Sequence, residues 1–479
     1  MEQNEEVGVN DTGRLVRQRA PAARVVVVAA ALLLAMVPAL QPLLSDDLTC
    51  GYDNTFQFWR AVQIDALWRQ GVVYSRWAPD MAQGFGFPVF LFASPFPASL
   101  VALLHRVGLA WARAMNATFA LGMVLGGLGM FWLAQGVFGR GRPWPVSVGI
   151  GFVAAVAYVY APFQAYDVFN RGSLWEGFAW AFPPFALLGV HRWAVERDRR
   201  FLLLGVGGLA ATVLSHHVFA FLFGPVLAVW VIAQAIARRD RNVVARGVLV
   251  GVLALGVTAF FWLPPLLERG YVQTERLLGT WVFDFRYNFL SWRHLLAPPR
   301  AADPLLLNDW PEKSLGLVPV LVALLPAIGW RRMRRWARWQ VGSLWGLVVL
   351  MALLTLPLSL PAWERIPLLA YVQFPWRCLG PAAFCVALLI GAGYGALADR
   401  VGWAGTSWRV TILAGVVGAI VAGSAWGWFY PAHCAAVGDT SLAAMIAWER
   451  ATDTIGTTAK GEYLPVWVQR FPDAPVDAD

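Results

Sequence analysis

Apolar runs separated by short charged stretches dominate this chain from residue 24 to residue 429. Runs of about 18 or more apolar residues are the mark of membrane-crossing helices. The pattern predicts eleven such helices, at 24–44, 114–137, 145–161, 178–195, 201–215, 218–237, 247–266, 314–330, 340–360, 377–398 and 409–429. A further apolar stretch, 88–112, is interrupted by Pro95 and Pro97 and reads as a re-entrant or interface-lying piece. Between the first two spans, Thr55–Gln70 has helical periodicity with Trp59, Val62, Ala66 and Leu67 towards one side, as in a helix lying on the membrane surface. Gly122, Gly126, Gly127 and Gly129, and again Gly391, Gly393 and Gly395, are placed for close helix packing. Neither set follows a strand, so neither reads as a phosphate loop.

Composition agrees with the pattern. The 479 residues are 58% hydrophobic and 14% charged, with 26 tryptophans for the two interfaces. The fold class is therefore an all-α polytopic membrane protein. The net charge of +9 would suit a nucleic-acid partner, but its placement argues otherwise. With the N-terminus inside, the loops carrying Arg140/Arg142, Arg192–Arg200, Arg238–Arg246, Arg331–Arg338 and Arg400/Arg409 all fall on the cytoplasmic side. The excess positive charge is topological, and no nucleic-acid partner is expected. The basic N-terminus reads as an uncleaved signal anchor. This divides the chain into a cytoplasmic tail, 1–23, a transmembrane domain, 24–430, and an extracytoplasmic C-terminal segment, 431–479. Long outer loops, 45–113 and 267–313, interrupt the transmembrane domain. Of four cysteines, Cys50 and Cys434 fall outside and are placed to pair, while Cys378 and Cys385 read as packing residues.

In this topology the unusual polar residues gather on the outer side: Asp46, Asp47 and Asp53; Arg76 and Asp80; Arg171 and Glu176; His216 and His217; Gln373 and Arg377; and Thr457, Thr458, Lys460 and Glu462. Ionisable groups at helix ends facing one compartment suggest a shared cavity. The adjacent carboxylates Asp46 and Asp47 could accept a proton from a sugar hydroxyl or hold a divalent cation. They could equally cap a helix through Ser45 and stay solvated. Arg76 is suited to a phosphate, or to a surface pair with Asp80. The five-residue offset of Arg171 and Glu176 makes a direct helical pair imperfect and leaves room for different partners, although a structural ion pair is the simpler account. Adjacent His216 and His217 point about 100° apart on a helix, a poor arrangement for one metal. Pro375 opens a helix and leaves Arg377 at the outer headgroup level, as a lipid-phosphate contact or as an anchor.

The order of these pieces resembles a bacterial family of polytopic proteins named for a "6-pyruvoyl-tetrahydropterin synthase-related" membrane domain, and is similar to the GT-C glycosyltransferase superfamily. The resemblance runs through Asp46-Asp47, Y-S-R-W-A-P-D-M-A-Q-G-F-G-F-P-V-F, N-R-G-S-L-W-E-G, S-H-H, Q-F-P-W-R and G-T-T-A-K-G-E-Y-L-P, nearly the whole chain. Pterin chemistry would need clustered zinc-binding histidines, and the chain has only six histidines. The GT-C resemblance implies an enzyme of a bacterial cell membrane that moves a sugar from a polyprenyl-phosphate-linked donor to an extracytoplasmic acceptor. It implies Asp46 or Asp47 as base or metal ligand, with Arg76, Arg171, Arg377 and Lys460 on the phosphate. Asp53, Asp80, Glu176, His216, His217, Gln373 and Glu462 complete the expected substrate site. A lipid-linked-glycan transporter or a non-catalytic assembly subunit is the rival reading. A transporter needs charges deep within several spans; the centres of these spans are nearly charge-free, which favours the enzyme.

Overall fold

Apolar sequence in helical period forms helices, and prolines and glycines decide where they stop. The computed structural model describes residues 5–9, 15–19, 22–278, 282–300, 312–401, 407–458, 461–471 and 474–476. The described chain is mostly helical. Six helices are long and apolar enough to cross a membrane alone: Ala23–Leu44, Trp111–Phe138, His217–Arg238, Arg335–Leu354, Pro375–Arg400 and Ser407–Phe429. Two expected spans are bent pairs. Trp144–Val159 turns by 41° into Pro162–Asn170, and Asn242–Val257 turns by 72° into Ala259–Tyr271. Counting each pair as one span gives eight.

The other three expected spans are shorter helical pieces. Pro183–Pro184 divides 178–195 into Leu174–Ala179 and Pro183–Val190, because a proline cannot donate to the preceding turn. Pro326 likewise separates Leu317–Val322 from Pro326–Gly329. Leu202–Ser215 has 14 residues, too few to cross by itself. The 88–112 stretch becomes Val89–Phe92 and Pro95–Arg106, again short of a span.

The Pro375–Arg400 helix is the central one. Its most apolar window is 94% buried, against 17% for Ala23–Leu44, whose side chains face outward. The glycines explain how closely it packs. A Cβ at Gly391 would lie 2.9 Å from the Ala154 side chain, and one at Gly393 would lie 2.7 Å from Leu325. Gly126 similarly lets the 111–138 helix approach Trp180. Cys378 and Cys385 are buried free thiols in this core.

A second apolar core lies beside the first, beneath the segment that follows the opening helix. It holds Asn54–Arg69, Pro95–Arg106 and the C-terminal helix Leu442–Ala451. The 54–69 helix is not the surface-lying helix its pattern suggests. Phe58, Trp59, Ala61, Val62 and Ile64 are all buried, and so is Asp65, which pairs with Arg106 at 2.6 Å and Arg69 at 2.8 Å. Trp448 of the C-terminal helix packs against Phe56 and Trp59, so protein covers the side read as facing the membrane. Near the N-terminus, Glu5–Val9 pairs antiparallel with Leu15–Arg19.

Candidate functional site

The first loop is fixed by its smallest residues. Cys50 forms a disulfide with Cys434, and Leu48–Thr49 pairs antiparallel with His433–Cys434. On the other side, Gly51 touches the turn at Gly172: a Cβ at Gly51 would lie 2.5 Å from the Gly172 nitrogen. Gly172 itself has φ +67°, and a Cβ there would lie 2.5 Å from Asn54. Only glycine fits both positions. With the two backbones in contact, the Asp53 N–H donates to the Arg171 carbonyl at 2.9 Å. Asp53 is thereby held against Arg171.

Arg171 follows a π-helical turn, Tyr166–Asn170, a deviation that often marks functional positions. Its guanidinium meets three carboxylates: Glu176 at 2.6 Å, Asp167 at 2.9 Å and Asp53 at 3.0 Å. The direct Arg171–Glu176 pair is the structural ion pair expected as the simpler account of these two residues. The chain turns back at Gly172, so the five-residue offset is not that of a continuous helix. Arg377 approaches Glu176 at 3.5 Å and donates to the Val372 carbonyl at 3.0 Å. It is buried, because the Pro375–Cys378 turn carries it into the core. Gln373 adopts a left-handed φ of +66° and accepts from Arg377 at 3.4 Å. That conformation is costly outside glycine, and such strain collects at functional sites.

The network has a dry back and an open front. The Asp167 and Glu176 side chains are 0% exposed and that of Arg171 is 5%, whereas that of Asp53 is 27%. Asp53 is therefore the carboxylate through which this charge cluster meets solvent. Beside it, the Lys313 ammonium lies 4.9 Å from the Tyr166 ring and 5.3 Å from the Trp376 ring. The Arg171 guanidinium lies over the same Trp376 ring at 5.3 Å. Lys313 is half-buried and has no carboxylate partner among the described residues. Two arginines, Arg171 and Arg377, thus meet three carboxylates, and a lysine held by aromatic rings stands next to them.

Two further elements close the site. His216 caps the 217–238 helix, its Nδ1 accepting from the Phe219 N–H at 2.9 Å, while His217 is exposed with its ring 6.0 Å away. Both are near enough to Arg377 for their charges to interact. From the C-terminal segment, Thr457 is held by Arg60 through its hydroxyl at 2.7 Å and its carbonyl at 2.8 Å. Thr458 and Glu462 are buried, and Tyr463 stacks on Phe92 at 4.3 Å. Arg60 in turn lies within electrostatic reach of Asp53 and Glu462. Lys460 lies outside the described residues.

The remaining expected residues lie apart from this cluster. Asp46 pairs with Arg113, and both side chains are mostly exposed. The Arg113 hydrogen bond and charge hold the Asp46 carboxyl below its usual range. Asp47 accepts from the Ala436 N–H at 3.3 Å, and Asn116 donates to the carbonyls of Ser45 and Asp47. These contacts make the pair a structural tie at the end of the first helix. Among the described residues, no group of three His, Cys, Asp or Glu side chains is arranged to hold a metal ion, at Asp46 and Asp47 or elsewhere. Arg76 pairs with Glu268 at 3.1 Å rather than with Asp80, which is bound by Gln63 at 2.9 Å. The sequence reading overlooked Asp167, Arg60 and Lys313. A carboxylate inside an apolar run, as in A-P-F-Q-A-Y-D-V-F, was the available signal for Asp167.

The sequence model of the 6-pyruvoyl-tetrahydropterin synthase related domain, a membrane protein family, matches residues 90–430. No curated protein matches the chain. Among solved structures, the fold is similar to the oligosaccharyltransferase of Archaeoglobus fulgidus, with a TM-score of 0.51 and 13% identity; the match covers 86% of this chain and 56% of that one. ArnT from Cupriavidus metallidurans bound to undecaprenyl phosphate matches at TM-score 0.46 and 14% identity, over 90% of this chain and 78% of that one. Arabinosyltransferase EmbB from Mycobacterium smegmatis matches at 0.43 and 13%, over 93% and 44%. All three are GT-C glycosyltransferases, and the oligosaccharyltransferase match indicates a GT-C-like fold. With the family model covering well over half its length, the chain belongs to the 6-pyruvoyl-tetrahydropterin synthase related family of membrane proteins.

Proposed function

We propose that this protein is a GT-C-type glycosyltransferase that moves a sugar from a polyprenyl-phosphate-linked donor to an acceptor outside the cytoplasmic membrane of a bacterium. One observation carries the reading: Asp53 is a partly accessible carboxylate, oriented by a buried arginine that shares the Trp376 ring with a lysine that has no carboxylate of its own among the described residues. A first-loop acid as base was expected at Asp46 or Asp47, and the geometry favours Asp53.

In the proposed step, Asp53 takes the proton of an acceptor hydroxyl. The acceptor oxygen bonds to the anomeric carbon from the face opposite the phosphate. The bond from that carbon to the phosphate oxygen breaks, and its electron pair leaves with the lipid phosphate. Charge therefore grows on the phosphate, where Lys313 and Arg377 are placed to stabilise it. Arg171 keeps the Asp53 carboxylate turned towards the opening.

Sidedness follows from two supports. The disulfide Cys50–Cys434 ties the first loop to the C-terminal segment, and disulfides persist in oxidising compartments. The basic clusters Arg331–Arg338 and Arg400 lie towards the opposite end of the central helix from Arg377. We infer an N-terminus inside, a transmembrane domain of residues 24–430, and loops 45–113 and 267–313 and the segment 431–479 outside. The test is turnover of radiolabelled polyprenyl-phosphate-linked sugars by the purified protein in proteoliposomes, with a cell-envelope extract as acceptor. Label should move from the lipid to the acceptor. If no donor in a panel of pentoses, hexoses and aminosugars is consumed, the enzyme reading fails.

A further inference from the structure

The opposite end of the bundle carries a cleft that the transfer reaction does not use. Arg400 lies 23 residues after Arg377, which on a helix places it about 34 Å away, roughly a bilayer thickness. Here the broken segment Leu317–Gly329 with the turn that follows it, the middle of the 335–354 helix and the end of the 379–401 helix line a cleft of about 820 Å³. Its lining includes Trp330, Trp345, Arg331, Arg332, Arg400 and Ile328.

The sequence explains why the cleft exists. Pro326 breaks the helix, and the Trp345 indole donates to the Ala323 carbonyl at 2.9 Å. Trp345 also stacks with Trp330, ring centres 5.7 Å apart. The two indoles form a rigid apolar wall, and three guanidinium groups lie at its rim.

Those arginines differ from others in the basic loops. Arg140, Arg142, Arg192, Arg197, Arg200 and Arg246 each have a carboxylate partner. Arg331, Arg332 and Arg400 have none among the described residues. Even the neighbouring Asp399 is taken, because Arg142 donates to its Oδ2 at 2.6 Å and to its Oδ1 at 3.2 Å. Three cations crowd one concavity without an anion, which is costly unless one arrives. Beside them Leu321, Leu324 and Ile328 expose 54%, 52% and 39% of their surfaces along the outside of the bundle. Fixed positive charge at the headgroup level above an outward-facing apolar strip is the chemistry of a phospholipid, anionic head and acyl chain together.

We propose that this cleft binds an anionic phospholipid, its phosphodiester headgroup between Arg331, Arg332 and Arg400 and an acyl chain along Leu324 and Ile328. A lipid bound there bridges the broken 317–329 segment and the central helix that carries Arg377. The site is independent of the proposed reaction, so it stands or falls on binding alone.

The experiment is native mass spectrometry of the full chain, delipidated and titrated separately with phosphatidylglycerol, phosphatidylcholine and inorganic phosphate. Wild type should retain one tightly held phosphatidylglycerol. The Arg331→Gln/Arg332→Gln/Arg400→Gln variant should bind it about a hundredfold more weakly, since three basic contacts of roughly fivefold each multiply. Arg400→Gln alone, a milder change, should lose about fivefold, and Arg239→Gln/Arg241→Gln, elsewhere in the basic loops, should lose nothing. Equal retention of phosphatidylcholine, unchanged binding by both cleft variants, or displacement of the lipid by inorganic phosphate at millimolar concentration would each overturn the proposal.

Discussion

Replacing Arg171 by glutamine tests whether the polar cluster is a single electrostatic unit. Arg171 neutralises Asp167 and Glu176, both 0% exposed, and the half-open Asp53. Without it, the two buried carboxylates keep only Arg377, 3.5 Å from Glu176, while Asp167 Oδ2 and Glu176 Oε1 already have no hydrogen-bond partner. Breaking a buried pair by removing one partner costs about 3–5 kcal/mol, because the remaining charge is left desolvated. Against a typical total of about 5–15 kcal/mol, that is a large share. The exposed pair Arg76–Glu268 supplies the control, since such pairs contribute about 0–1 kcal/mol. The assay is thermal unfolding in detergent, followed by tryptophan fluorescence and by size exclusion. Arg171→Gln should unfold well below wild type, and Arg76→Gln should stay close to it. Adding Asp167→Asn and Glu176→Gln to Arg171→Gln should recover part of the loss, as uncharged amides cost less to bury than unpaired carboxylates. If Arg171→Gln unfolds with Arg76→Gln, the reasoning is refuted.

Three further perturbations probe the frame around the site. Burial pushes the Glu449 carboxyl up to about 7, although it accepts from the Ala82 and Gln83 N–H groups at 2.9 and 2.6 Å. The folded state therefore binds its proton more tightly than the unfolded state, and its contribution to stability is full below about pH 4.5 and declines as pH rises through 7. Unfolding temperature should fall over that interval, and Glu449→Ala should flatten the change. Removing the Cys50–Cys434 link by double substitution to alanine should cost about 2–4 kcal/mol and make the first loop more susceptible to limited proteolysis. Gly51→Ala should separate the first loop from the Gly172 turn, because its Cβ would overlap backbone at 2.5 Å; both stability and sugar transfer should drop, whereas Gly251→Ala, with nothing within 4 Å, should retain transfer.

The helical membrane class and the candidate polar segments were legible because they depend on local patterns. Six of the expected spans appear as unbroken helices, since 20 or so apolar residues without a breaker have few other options. The Cys50–Cys434 pairing could be anticipated from both cysteines falling on the outer side in the expected topology. The bends and breaks were harder to read, because Pro162, Pro183 and Pro326 each permit either a kink or a stop, and neighbouring packing decides. The partners of the charges were not legible at all. Asp46 was prominent because two carboxylates stand side by side, yet Arg113, 67 residues away, takes it. Asp53 was expected in the substrate site but not as the base, because its position depends on Gly51 meeting Gly172, a long-range contact. Lys313 gained meaning only from the Tyr166 and Trp376 rings, which are distant in sequence.

The central claim is that the accessible carboxylate of the buried cluster, rather than the conspicuous pair at the end of the first helix, takes the acceptor's proton. The direct measurement is transfer from a polyprenyl-phosphate-linked sugar in proteoliposomes by Asp53→Asn and by the double variant Asp46→Asn/Asp47→Asn, alongside undecaprenyl phosphate binding by each. The account predicts that Asp53→Asn loses transfer by about a hundredfold or more, the scale of a missing general base, while still binding the lipid phosphate. The double variant should retain most of its transfer. Normal transfer by Asp53→Asn, or its loss only in the double variant, would contradict the account.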